Sequence, residues 1–497
     1  MQYLKAIVVL LLVGLSANAV AQNSNAALNN SVAVLPFENL SPNPDDAYLS
    51  AGIHEQLLFQ LTKIRDINPI SRPAAIRNAG DGKSIAEIAA MLNVETIMTG
   101  SVRYENDRVN MVVNLIDAST NNQLWSETYD RDFSDIFAIQ TNIVEHIVMA
   151  LGAELTASEQ QRIEKAPTNS LEAYKRYMNA RVSVRVTIAP NMPPKFYQYL
   201  NEAISLDPDF ALAHALKSSV YGISHLYGAP RDQLTFDEIR NVAQEHADIA
   251  VKLDPNLGLG YMGKAFVHFS NLHGAAARQA FERALGLSPN DVEIYDGYRR
   301  FLSVIEDHDE AIRLAERDIV LTPNVGNPLM RLGQTSMFAG KPSPAVESLR
   351  IAVELFPQFH AVHRFYAMAL ITAGKNSEAL EELRISEKLL NDRNPTRDIA
   401  RTAYGYSVLG FKEDAMRIYA LLEKRQAEGK FISIRDWIEA YLAIGEIEKA
   451  YGLWSKTPKP TEGIRSLQFI QSNIVKNPVL EEPRFVKLRK QLIEFKD

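Results

Sequence analysis

From Leu171 to Lys456 the chain is a succession of apolar-periodic segments with short breaks, and the breaks keep count. Prolines stand at Pro289, Pro323 and Pro357, thirty-four residues apart. Upstream of each, small or apolar residues recur at helical spacing. Ala277, Phe281 and Ala284 precede Pro289; Ala311, Ala315 and Asp318 precede Pro323; Ala345, Leu349 and Ala352 precede Pro357. The same offsets give Ala243, Ala247 and Ala250 before Pro255, and Phe196, Leu200 and Ala203 before Pro208. Such spacing puts these residues on one face of a helix, and the proline ends it. A second helical pattern follows each proline, at Tyr261–Phe269, Tyr295–Leu302, Leu329–Phe338 and His363–Leu370. The repeated unit is therefore a pair of antiparallel helices, and about seven pairs stacked over residues 170–460 make an all-α solenoid.

Pro208 to Pro255 is thirteen residues longer than the period, a surplus assigned to the loop Tyr227–Leu234. The first unit starts at Leu171 and carries a proline-rich insertion at Ala189–Pro194. Beyond Pro357 one pair spans His360–Leu390, and looser pairs span Asp398–Arg425 and Phe431–Lys456. Residues 474–497 read as a cap, with a turn over Pro478–Phe485 and a short amphipathic helix over Val486–Phe495.

The period changes over residues 31–156. Ser31–Phe37 and Asp66–Ser71 read as strands, separated by a helix over Tyr48–Lys63. A helix over Ser84–Leu92 precedes three strands, Glu95–Glu105, Arg108–Asp117 and Gln123–Asp130, and Phe133–Glu154 is a long amphipathic helix. Asn106-Asp107 suits a tight turn between the first two of those strands. Val109, Met111, Val113 and Leu115 share one face. The order βαβαβββα predicts an α+β domain, a mixed sheet with helices on one face, ahead of the solenoid.

Both regions resemble known families. The thirty-four-residue period, the small residues, the intervening Phe or Leu, the terminal proline and the pair Leu332-Gly333 resemble the tetratricopeptide repeat (TPR). Gly258–Pro289, with Tyr261, Ala265, Ala277, Phe281 and Ala284, matches that pattern best. VAVLPFENLS at Val32–Ser41, the run Asp45–Ile64 and the run Ile97–Asp132 resemble the TolB-like, or FlgO-type, amino-terminal domain. That resemblance implies a domain often followed by tetratricopeptide repeats. In longer relatives it is associated with adenylate cyclases, kinases or winged-helix regulators, whose modules do not appear in these residues.

The amino terminus alters the expected location. Lys5 is followed by the apolar run Ala6–Leu15 and by small residues ending in Ala19-x-Ala21. This is the layout of a secretory signal peptide over residues 1–21, cleaved after Ala21. The expectation is a periplasmic protein with no stable membrane span after cleavage. There is no cysteine, which excludes disulfides, thiol catalysis and a lipid-modified cysteine. The net charge of −7 gives no general attraction to nucleic acid, and none is expected as a partner.

Catalytic templates fail. Gly80-Asp-Gly-Lys-Ser84 ends like a phosphate-binding loop, but Arg77 occupies the place of the required first glycine. The segment is read as a turn capping the next helix. His54-Glu55 opens like a zinc helix, but Leu58 stands where the second histidine belongs. His360 and His363 lack a third ligand, Asp45-Asp46 lacks the oxygens of a calcium loop, and Trp125 and Tyr129 read as core or rim aromatics. No catalytic residue, metal or cofactor is expected. The candidate surface is instead the groove lined by the first helix of each pair: Leu259, Met262, Phe266, Phe269, Asp296, Arg300, Met330, Gln334, Met337, Arg364 and Met368. Methionine and phenylalanine would supply an adaptable apolar lining. The expected function is a non-enzymatic scaffold for protein partners in the cell envelope. The alternative is a small-ligand-sensing accessory domain related to the extracytoplasmic part of TolB-like regulators and cyclases.

Overall fold

A computed structural model describes residues 29–80, 82–183, 192–227, 234–391, 396–430, 432–456 and 482–492. The leader over residues 1–21, much of the Ala189–Pro194 insertion, most of the Tyr227–Leu234 loop and the start of the Pro478–Phe485 turn lie outside the described residues. The chain divides into two compact units. The first comprises Met1–Ala166 with Pro289–Asp291 and Val320–Asn324, and the second comprises the rest.

In chain order the first unit holds β1 (Ser31–Val34), β2 (Glu38–Asn39), α1 (Ala47–Leu61), β3 (Asn68–Pro69), α2 (Arg72–Asn78) and α3 (Ile85–Leu92). Then come β4 (Thr96–Glu105), β5 (Arg108–Asp117), β6 (Gln123–Asp132), α4 (Ile136–Ala150) and α5 (Ala157–Glu164). The sheet order is β3-β1-β4-β5-β6, with β2 beside β4. β1 runs parallel to β3 and β4, while β4–β5 and β5–β6 are antiparallel, so the sheet is mixed. Parallel partners on both sides explain why all four residues of β1 are buried. On β5 only one face is covered, and Val109, Met111, Val113 and Leu115 are fully buried. The β4–β5 turn uses Asn106 and Asp107 at φ 53° and 58°, a left-handed pair these side chains tolerate.

Three features depart from the expected order, the first being β2 itself, a short extra strand beside β4. α2 is an additional short helix, with Pro73 in its first turn, where ring geometry favours helix entry. The unit also runs past residue 156 to include α5. The Glu159 carboxylate accepts from the Arg65 amide at 2.9 Å, and Arg162 and Lys63 donate to each other's carbonyls at 3.1 Å. Asn290 is buried here, its amide donating to the carbonyls of Ile64 (2.8 Å) and Ile67 (2.7 Å).

The second unit is built of helix pairs: α6 (Leu171–Val182) with α7 (Pro194–Leu206), α8 (Ala211–Tyr227) with α9 (Phe236–Leu253), α10 (Gly258–Ser270) with α11 (Gly274–Leu287), and, paired by chain order, α12 (Val292–Val304) and α13 (His308–Leu321). The remainder are α14 (Gly326–Phe338) with α15 (Pro342–Leu355), α16 (His360–Thr372) with α17 (Asn376–Leu389), α18 (Thr396–Val408) with α19 (Lys412–Ala427), and α20 (Ile434–Ile444) with α21 (Ile447–Ser455). Eight pairs are thus present among the described residues rather than about seven. A last helix, α22 (Pro483–Leu492), starts before the expected position and buries Phe485 against Tyr451 and Trp454, with ring centroids 5.4 and 5.6 Å away. That contact covers apolar surface on the last pair among the described residues.

The small residues upstream of each proline form the seams. Ala277, Ala284, Ala345 and Ala352 are fully buried, as are Phe281 and Leu349 between them. Gly333 is small for the same reason. A Cβ there would stand 2.4 Å from the Leu349 Cγ. Gly333→Ala should therefore destabilise the second unit by about 2 kcal/mol through overpacking, despite the better helix propensity of alanine. Thermal unfolding followed by circular dichroism checks this, and an unchanged or raised Tm would refute it.

Candidate functional site in the helical repeats

The apolar members of the proposed groove, Met330 excepted, are core. Leu259, Met262, Phe266 and Phe269 on α10 are buried, as are Met337 on α14 and Met368 on α16. Phe266 stands edge-on to Phe281 at 5.7 Å, and Phe269 stands edge-on to Phe301 at 5.3 Å. Gly222 on α8 also lies against Phe266, since a Cβ there would approach its Cβ to 2.7 Å. The first helix of a pair meets its own partner helix and the first helices of neighbouring pairs, so its apolar side chains are consumed by those seams. Of the candidates, only Arg300, Met330 and Gln334 are half-exposed. Asp296, Arg300 and Arg364 take part in a different arrangement, ion pairs that link α12 to α14, α16 to α18 and α18 to α20.

The chain begins at Asp296 on α12. Its Oδ1 accepts from Arg299 at 2.8 Å, and its Oδ2 takes a fork from Arg300 at 2.9 and 2.7 Å. Arg331, one pair along on α14, reaches the same carboxylate at 3.1 Å and also donates to Asp318 on α13 at 2.8 Å. Arg299 spends a second N–H on the Thr335 hydroxyl at 3.1 Å. Further along, Arg364 on α16 donates to Asp398 on α18 at 3.0 Å, with His360 3.7 Å from the other carboxylate oxygen. Arg401 on α18 donates to Glu439 on α20 at 3.2 Å, and Thr396 donates to Asp436 at 2.7 Å. Arg435 stands 3.5 Å from both Asp436 and Glu439.

Among the described residues of this row, Arg299, Arg300, Arg331, Arg364, Arg397, Arg401 and Arg435 face Asp296, Asp318, Asp398, Asp436 and Glu439, two more cations than carboxylates. Adding the adjacent pair Arg181–Glu293 leaves the surplus unchanged. Desolvation, then repulsion from Arg331 and Arg397, lowers Arg300 to about 9. Desolvation also lowers Arg364 to about 10; Asp398 opposes the shift, and Arg401 and Arg397 add to it. Both stay charged at neutral pH, but each sits among too many like charges. Burial pushes the Asp398 carboxyl up, yet Arg364, Arg397, His360 and Arg401 together hold it below the ordinary value. Burial wins at Asp318, which is raised despite Arg331.

Other sequence candidates resolve into structure. Ser84 is the N-cap of α3: the Glu87 amide donates to its hydroxyl at 3.2 Å, and its own amide donates to the Glu87 carboxylate at 2.7 Å. His363 is occupied by Glu382 at 2.6 Å and the Pro357 carbonyl at 2.8 Å. His54 spends one ring nitrogen on the Val34 carbonyl at 2.8 Å. Tyr129 is buried and donates to Asn142 at 2.6 Å, and Trp125 stacks on His146. Among the described residues there is no group of three or more histidine or acidic side chains placed to hold a metal, and no helix long and apolar enough to cross a membrane.

Sequence reading placed Asp318 only as a seam position and missed its charge pairing, along with Arg299, Arg331, Arg397, Arg401, Asp436 and Glu439. Asp318 sits five before its proline, where the other repeats place Ala203, Ala250, Ala284 and Ala352. A carboxylate in a small-residue seam was the available signal. Arg331, Arg364 and Arg397, thirty-three residues apart, were the other.

Residues 28–146 match the family described as the HilA/YgeH-like transcriptional regulator, second domain. The chain is 33% identical over 222 residues to a putative adenylate cyclase 3 of Rhizobium meliloti (strain 1021), a stretch covering 44% of this chain and 37% of that relative. It thus spans little more than a third of the relative's length. Among solved structures it is similar to Pseudomonas aeruginosa PilF (17% identity, 48% of this chain, 98% of that chain, TM-score 0.34). It is also similar to a chain of the APC/C Cut9–Hcn1 hetero-tetramer (14% identity, 72% of this chain, 63% of that chain, TM-score 0.41).

Proposed function

We propose that this protein is a non-enzymatic scaffold that holds a protein partner along the first helices of its repeats, in the cell envelope after export. The observation that carries this reading is the polar surface shared by successive first helices. Arg331–Asp296, Arg364–Asp398 and Arg401–Glu439 each cross from one pair to the next, and Arg300, Gln334 and Arg401 stay partly exposed along that line. A surface spread over several helices suits an extended or helical segment better than a compact substrate. The signal-like residues 1–21 support export.

The test is site-specific photo-crosslinking in bacterial cells, with the photoreactive residue at Gln334 and, as control, at exposed Arg384 on α17. A protein adduct formed from Gln334 and not from Arg384, recovered in the periplasmic fraction, is the expected result. Identical adducts from both positions, or none from Gln334, would remove the reading.

A second reading, small-ligand sensing, is favoured by an open cleft of about 650 Å³ in the first unit, lined in part by Asn93, Glu95, Asp117, Ser119 and Leu124. Asp117 is already engaged, accepting from Ser119 and Thr120 of its own loop, and hydrogen bonds from Ser119 and then Thr120 hold its carboxyl down to about 2. A thermal-shift screen with envelope metabolites tests this reading. A ligand whose effect disappears on changing Leu124 to Arg would favour it over the scaffold.

A further inference from the structure

We propose that the arginine row on α12, α14 and α18 binds an acidic segment of a protein partner, whose carboxylates meet Arg300, Arg331, Arg397 and Arg401. The inference rests on the scaffold reading and adds the chemistry of the partner. What points to it is an asymmetry of exposure. The carboxylates of the row are closed off: the side chains of Asp296, Asp318, Asp398, Asp436 and Glu439 are between 0 and 8% exposed. The guanidiniums of Arg300, Arg331 and Arg401 are 24, 13 and 20% exposed. A molecule approaching this surface meets cations, with their internal partners behind them.

Arg397 strengthens the case. It is half-buried on α18, makes no ion pair of its own among the described residues, and repels Arg300 and Arg364. Inside the row the Nε atoms of Arg299, Arg364 and Arg435 are buried without a hydrogen-bond partner, as are Asp436 Oδ1 and Glu439 Oε1, which face Arg435 at 3.5 Å. Two added carboxylates would neutralise the surplus of two cations. Each guanidinium can offer a planar fork to a carboxylate, the strongest pairing available to it.

The occupant is a peptide rather than a small anion because the cations come from three helices, more than one carboxylate or phosphate can touch. Nucleic acid fits less well. With Arg300, Arg331 and Arg401 only 24, 13 and 20% exposed, a carboxylate on a flexible side chain suits them better than a stiff phosphodiester backbone. The remaining surface of a protein with net charge −7 would also repel it.

The experiment is fluorescence anisotropy on the chain from Gln22 onward, using a labelled peptide of alternating Glu and Ala, its Gln/Ala counterpart, and a labelled oligothymidine. Competitors are inorganic phosphate and free glutamate. The acidic peptide should bind at least about tenfold more tightly than the neutral one and weaken between about 50 and 300 mM salt. Arg300→Gln and Arg397→Gln should each cost roughly tenfold, Arg300→Lys less, and Arg384→Gln nothing. Circular dichroism verifies folding, and Asp296 keeps Arg299 and Arg331 when Arg300 is changed. Equal binding of acidic and neutral peptides would overturn the proposal while leaving the scaffold reading intact. So would tighter binding of oligothymidine, or full displacement by phosphate at concentrations matching the peptide. A specific adduct at Gln334 with no preference for acidic peptide would separate the two failures. Binding of the acidic peptide unaffected by either glutamine variant would place it elsewhere and also overturn the proposal.

Discussion

Asp398→Asn should lower the stability of the second unit by about 3–5 kcal/mol, the largest effect expected of any single change in the ion-pair row. The carboxylate is 6% exposed and is the acceptor for Arg364 at 3.0 Å. Arg397 and Arg401 also draw on its charge. Asparagine preserves the shape but removes the charge that offsets these neighbours, leaving guanidiniums desolvated and mutually repelling. The loss should appear as a fall in Tm of about 10 °C, concentrated in α16–α20 when amide exchange is followed by segment. pH provides a second readout. The folded carboxyl lies below its ordinary value, so the unfolded chain binds the proton more readily. Its contribution is complete above about pH 4 and is lost as pH falls through the lowered folded value. The wild-type protein should therefore lose stability in that acid range more steeply than Asp398→Asn. Parallel pH profiles for the two proteins would mean that Asp398 is not the counterion described.

Asp318→Ala carries the second large effect, and its interest lies in the rescue. Alanine is the residue other repeats place at this seam, so packing alone predicts a gain. Electrostatics predicts the opposite. Arg331 would lose the acceptor at 2.8 Å and keep Asp296 at 3.1 Å, a carboxylate it shares with Arg299 and Arg300. The single variant should lose about 3 kcal/mol. Asp318→Ala combined with Arg331→Leu should recover most of that loss or exceed the wild type, because both buried charges disappear together. Burial holds the Asp318 carboxyl above its ordinary value even with Arg331 beside it, so its protonated form supports the fold more than its ionised form does, a difference lost as pH rises through the folded value. If the double variant is stable yet binds acidic peptide more weakly, the buried pair serves the surface and not the fold. A double variant no more stable than the single one would contradict this account.

The features that sequence alone determined are local ones. Pro289, Pro323 and Pro357 end helices wherever they stand, because the ring removes an N–H and restricts the preceding residue. Ala277, Phe281 and Ala284 share a face by helical geometry, and Val109, Met111, Val113 and Leu115 share one by strand geometry. Asn106-Asp107 makes its turn from its own backbone preferences. Tertiary structure alone decided what covers each face. Periodicity identifies Met262 and Phe266 as one stripe of α10, but only the neighbouring pairs decide that the stripe is a buried seam rather than an open groove. Periodicity likewise could not join Arg364 to Asp398 or Arg331 to Asp296, residues a whole repeat apart in the chain. Nor could it extend the first unit to Ala166, which depends on Glu159 and Arg162 meeting a distant loop. A helix pattern specifies angular position about its own axis. Which neighbour lies at that angle, and whether it brings carbon, carboxylate or water, is settled only when the pairs stack.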